Sequence, residues 1–162
     1  MTELILRYVK IAIGFALAWV MLYAWTSCSY KEIKGKEMMK SGITPGKNYW
    51  ILIKEREPSQ LREDDIVAFE YASPVDGGKE ATRAGRVQAL PGQRVKMVKG
   101  ELFVDDRKAA SGIAKQDESF DEFIVPRDSV FILMDEPSIG PFYDSRAMGP
   151  LGAGAILGKV KK

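Results

Sequence analysis

Apolar and polar positions alternate in two different ways along this chain. Residues 11–30 run for twenty positions without a charge and are rich in Ile, Ala, Leu, Trp and Val. At helical rise that is about 30 Å, the thickness of a bilayer core, and it predicts a helix that crosses a membrane. Trp19, Tyr23, Trp25 and Tyr30 add aromatic weight, the last two near the expected interface. Beyond Tyr30 the period drops to two, the mark of half-buried strands. Strands are predicted at 49–53 after Pro45-Gly46, at 66–71 after the acidic turn Glu63-Asp64-Asp65, and at 83–90, 94–98, 102–104, 129–134 and 156–161. The last is expected to close the sheet. Residues 74–79, Leu90-Pro91-Gly92, Lys99-Gly100 and Asp105-Asp106 read as turns. Residues 109–122 are polar and read as an exposed excursion. Short strands broken by turns at this spacing predict a mainly β fold, a folded sheet or barrel, after one N-terminal transmembrane helix. The expected organisation is an anchor at 1–30 and one β-domain at 31–162.

Composition narrows the chemistry. The 162 residues suffice for one domain with a real core. A net charge of +2 offers no basic surface for nucleic acid. Cys28 is the single cysteine, so no intrachain disulfide forms. The chain has no histidine, which excludes Ser-His-Asp and Cys-His catalysis and the histidine-containing zinc sites. No metal and no cofactor are expected. Hydrolysis would need a serine or threonine with a lysine base, or a carboxylate pair such as Glu37 with Asp135 or Asp144.

The apolar run is longer than a cleavable signal core, so an uncleaved span is expected. A lipid anchor at Cys28 fails on Trp25, where a small aliphatic residue is wanted. Arg7 and Lys10 precede the span, and Lys31, Lys34, Lys36 and Lys40 follow it. Counting Lys and Arg alone places the β-domain in the cytoplasm. Lys31, Lys34 and Lys36 suit lipid headgroups.

Three blocks carry a family resemblance. Gly85-Arg86-Val87-Gln88-Ala89-Leu90-Pro91-Gly92-Gln93-Arg94-Val95 resembles the lysine box of type I signal peptidases, where Lys-Arg-Val precedes a Leu-Pro-Gly-Asp turn. Ahead of it, Asp65-Ile66-Val67-Ala68-Phe69 is similar to that family's Asp-Ile-Val-x-Phe strand, and Gly100 to Asp106 to its Gly-x-Leu-Tyr-Val-Asn-Gly hairpin. Gly35-Lys36-Glu37-Met38-Met39-Lys40-Ser41 stands where the family has Gly-x-Ser-Met-x-Pro-Thr, and Met134-Asp135-Glu136 with Asp144-Ser145-Arg146-Ala147-Met148-Gly149 where it has Met-Gly-Asp-Asn and Asp-Ser-Arg-x-x-Gly.

The resemblance implies a membrane-anchored serine endopeptidase with a Ser-Lys dyad and an outward-facing domain. It also implies where this chain departs. Glu37 takes the place of the nucleophilic serine and Gly85 that of the basic lysine. Arg83 and Arg86 remain protonated and cannot serve as the base. Lys79 lies in the loop before the strand, and Lys40, beside Ser41 on an expected strand, would face away from it. Ser41 is the alternative nucleophile, in a stretch loosely similar to that of conjugation-type processing peptidases.

The expectation is therefore a non-catalytic accessory or scaffold subunit of a membrane assembly, anchored by one span in a bacterial-type inner membrane with its domain extracytoplasmic. Its partners would be the lipid bilayer and other membrane subunits or an extended peptide. Met38, Met39, Arg83, Ala84 and Gly85 are expected to line the peptide groove. Asp144, Ser145 and Arg146 are expected to be structural, with an Asp144–Arg146 ion pair beside the old site, and residues 137–141 to form a loop near it. The alternative is an active endopeptidase that processes secreted or membrane precursors with Ser41.

Overall fold

The computed structural model describes residues 2–36, 38–74, 77–113, 118–135 and 143–161. Glu37 and the 137–141 loop lie outside them. The first element, α1 (Thr2–Ser27), carries an apolar window, Ile5–Tyr23, that is long enough to cross a membrane and has none of its surface buried in the molecule. The sequence placed the span later. The helix instead ends at Ser27, and β1 (Cys28–Ile33) starts at once because those residues pair with β2 (Lys47–Leu52), from Cys28 opposite Leu52 to Ile33 opposite Lys47. Tyr30 thus belongs to the sheet, its ring 5.1 Å from that of Trp50, its cross-strand partner.

The other strands are β3 (Ile66–Ala72), β4 (Glu80–Ala89), β5 (Arg94–Val98), β6 (Glu101–Val104), β7 (Arg107–Ile113), β8 (Phe120–Ile124), β9 (Ser129–Leu133), β10 (Leu151–Gly152) and β11 (Ile156–Lys161). A seven-stranded sheet runs β1-β2-β11-β3-β4-β9-β10, and a four-stranded sheet runs β7-β6-β5-β8. The large sheet curls until β1 returns against β4, where the Lys34 amide donates to the Thr82 carbonyl at 3.1 Å. Inside the curl Ile33, Met38, Ile43, Ile51, Ala68, Ala84 and Met134 form one core. Val67, Phe69, Val87, Val130 and Ile132 form a second. The small sheet packs Val95, Met97 and Leu102 with Phe131 and Leu133 of β9 as a third.

Two expectations change here. Within residues 109–122, positions 109–113 belong to β7 and 120–122 to β8. The rings of Phe120 and Phe123 turn inward onto Phe131, at 5.8 and 5.9 Å, while Asp121 and Glu122 are exposed. The polarity read from sequence is the outer face of a strand at the rim of the sheet. Residues 156–161 form a strand as expected, but β11 lies between β2 and β3 rather than closing the sheet. Its Gly158 adopts φ +146° at a register shift, and a Cβ there would stand 2.3 Å from the Leu52 carbonyl oxygen. The Leu90-Pro91-Gly92 turn forms with Gly92 at φ +84°.

Candidate functional site

Arg86 organises the region to which the three sequence blocks converge. Its Nε and Nη2 donate to Asp135 Oδ1 and Oδ2, each at 3.0 Å, and its Nη1 donates to the Asp64 carbonyl at 3.1 Å. Nη2 also donates to Ser41 Oγ. The hydrogen bonds to Asp135 raise the Arg86 pKa above its ordinary value, outweighing the opposing effect of burial. The guanidinium is therefore a fixed cation and a donor only.

Ser41 reaches Arg86 because residues Met39–Ser41 form a single 3-10 turn rather than a strand. The alternation argument that separated Lys40 from Ser41 therefore does not apply. Gly42, at φ +81°, ends the turn and donates its amide to the Met39 carbonyl at 3.0 Å. The Tyr49 hydroxyl clamps the chain just past the turn, accepting from the Thr44 amide at 2.7 Å and donating to the Gly42 carbonyl at 3.4 Å.

Gly85 faces the other way. A Cβ on it would meet Ile132 Cδ1 at 2.8 Å, with Ile132 Cβ and Phe69 Cε1 each at 3.4 Å. Those atoms belong to the second core. Ala84 and Arg86, its neighbours on β4, point to the side of Met38 and Ser41. The position in register with the family lysine thus abuts packed hydrocarbon on the face away from Ser41.

The five residues expected to line a groove do not share one surface. Met38 and Ala84 are core residues, each 1 % exposed, and Gly85 abuts another core. Met39 is exposed, while Arg83 is buried and lies 3.8 Å over the ring of Tyr143. Among the described residues, β9 pairs with β4 only from Arg86 to Ala89, and residues 80–85 pair with β3. β1 likewise pairs with β2 on one side. β1 and β4 approach each other and are joined by the Lys34–Thr82 bond.

The Asp144-Ser145-Arg146 block is built as structure. Asp144 caps α2 (Ser145–Met148) by accepting from the Arg146 amide at 3.0 Å. Its carboxylate also takes Nε and Nη2 of Arg146, the latter at 2.8 Å, and the Met134 amide at 3.3 Å. Burial still pushes the Asp144 carboxyl above the usual range, against the pull of Arg146. Arg146 Nη1 donates to Glu118 at 2.6 Å, and Ser145 Oγ accepts from the Ile132 amide at 2.9 Å. The ion pair expected from sequence is present, and it ties β9 to α2. Asp64, Glu118 and Tyr143 were not singled out by sequence reasoning. Among the described residues no group of three His, Cys, Asp or Glu side chains is placed to hold a metal ion.

The family model for signal peptidase, peptidase S26, matches residues 5–162. The chain belongs to the signal peptidase S26 family. A solved signal peptidase I from Enterococcus faecalis V583 is 21 % identical, with a TM-score of 0.46, and the match covers 62 % of this chain and 97 % of that one. No curated protein matches the chain.

Proposed function

We propose that this protein is a non-cleaving member of the signal peptidase family that holds an extended segment of another protein. In this reading it is an accessory or scaffold subunit of a membrane assembly, with its β-domain on the extracytoplasmic side. One observation carries the reading. The serine singled out as a nucleophile, Ser41, accepts a hydrogen bond from a guanidinium that Asp135 keeps protonated, while the place of the family lysine is Gly85, set against Phe69 and Ile132. A nucleophilic serine must pass its proton to a neutral base, and Arg86 has none to offer. Binding needs no such base. Among the described residues, β1 pairs with β2 and residues 80–85 with β3, which supports capture of an extended chain by strand addition.

The test is cleavage of a secretory precursor by the full-length protein in phospholipid vesicles, with Ser41→Ala alongside. Neither protein is expected to cut. A photo-crosslinking residue at Ala81 should capture an extended partner chain. Cleavage that disappears in Ser41→Ala would overturn the proposal and establish a serine endopeptidase.

A further inference from the structure

Where α1 gives way to the β-domain, the curled sheet leaves an opening that the site around Arg86 does not use. A cavity of about 210 Å³ is lined by Ser29 and Lys31 of β1, Ile51 of β2, Ile53 and Arg56 of the turn after it, and Leu157 of β11, among others. Its walls are mainly aliphatic and it carries two cationic side chains. Its position is fixed by α1. Ser29 is two residues beyond the end of the helix, and α1 packs against both β1 and the turn Ile53–Glu55 that supplies Ile53. From Tyr23, the end of the apolar window, to Ser27 the helix rises about 6 Å, close to the depth of a headgroup layer.

The two cations are not equally committed. Lys31 Nζ is 2.9 Å from Glu70 Oε1 of β3. Arg56 is exposed, and its carboxylate neighbour, Glu57, stands 3.8 Å away. Glu57 is itself engaged as the cap of the next turn, Pro58–Gln60. A guanidinium whose charged partner among the described residues stands 3.8 Å away, above an aliphatic cavity at headgroup depth, fits an anion that carries a hydrocarbon tail.

We propose that this cavity binds the phosphate headgroup of an anionic phospholipid, with Arg56 as the principal contact, Lys31 as the second, and the glycerol and first acyl carbons against Ile53 and Leu157. The proposal rests on α1 spanning the bilayer but not on whether the protein cleaves peptides.

The test uses the full chain reconstituted in vesicles of phosphatidylcholine alone or with one-third phosphatidylglycerol, then extracted gently and weighed by native mass spectrometry for retained lipid. The wild type should keep one phosphatidylglycerol at least tenfold more often than phosphatidylcholine. Arg56→Gln with Lys31→Gln should abolish the preference, and Ile53→Trp should do so without any change of charge. Lys47→Gln, at the far end of β2, should leave it intact. Inorganic phosphate at millimolar concentration should not displace the lipid; displacement would mean a free-phosphate site and overturn the assignment. So would equal retention by the double variant and the wild type. Flotation with phosphatidylcholine vesicles separately reports whether α1 anchors the chain, and circular dichroism whether each variant is folded.

Discussion

At the scale of single residues, the Arg86 guanidinium decides what the old catalytic region can do. Its side chain and that of Asp135 are 18 % and 14 % exposed, so removing either partner leaves a charge with little solvent. Arg86→Ala should cost about 2–4 kcal/mol, read as a fall in urea midpoint of the full chain in detergent. Asp135→Asn should cost less, because the amide oxygen can still accept one of the two bonds. Asp144 makes a prediction in pH. Its folded carboxyl takes up a proton at higher pH than the unfolded one, whose value is near 3.8. The stability it contributes is therefore greatest in acid and is lost as pH rises through its folded value. The wild type minus Asp144→Asn difference in unfolding free energy should fall from about pH 4 upward and then level off. The Asp144–Arg146 pair was legible in sequence because both members stand in the contiguous Asp-Ser-Arg block that resembles the family's. The Ser41–Arg86 bond was not, since it depends on a 3-10 turn and on a partner forty-five residues away. Nor could sequence separate the faces of Ala84 and Gly85, which depend on what packs above and below β4.

At the scale of elements, close approach sets the limits on substitution. Gly158→Ala would place a carbon against the Leu52 backbone, which cannot yield as a side chain can. It should destabilise the fold by more than about 2 kcal/mol, or prevent folding, by thermal melt of the full chain. Gly85→Ala crowds the tip of Ile132, a side chain that can shift, with Ile132 Cβ and Phe69 at contact distance, and should be milder. Gly85→Lys would push an amine into the packing of Phe69 and Ile132. It should destabilise strongly and create no protease, and precursor cleavage by that variant would contradict the facing described for β4. Strands such as Ile66–Ala72 and Ser129–Leu133 were readable because short apolar runs with β-branched and aromatic residues mark them. Cys28–Ile33 was hidden, because Cys28, Ser29 and Tyr30 continue an uncharged helical run and only pairing with β2 makes them extended. Phe120–Ile124 was hidden by its acidic outer face.

For the whole molecule, orientation in the membrane has a direct readout. Lysine and arginine count places the β-domain in the cytoplasm, whereas the proposed function places it outside. Protease added to intact spheroplasts should digest the β-domain and spare a fragment containing Ile5–Tyr23; full protection would reverse the orientation. The order of strands has a consequence in time. β11, the last strand described, is inserted between β2 and β3, which are made more than eighty residues earlier. Until residues 156–161 have left the ribosome, β2 and β3 lack the neighbour that joins them, and each exposes a raw edge. An anchored nascent chain must therefore wait, tethered and unfinished, beside its membrane. That interval would favour a chaperone for β2 and β3, and a nonsense codon just before Ile156 should leave an insoluble, rapidly degraded product rather than a slightly shorter protein.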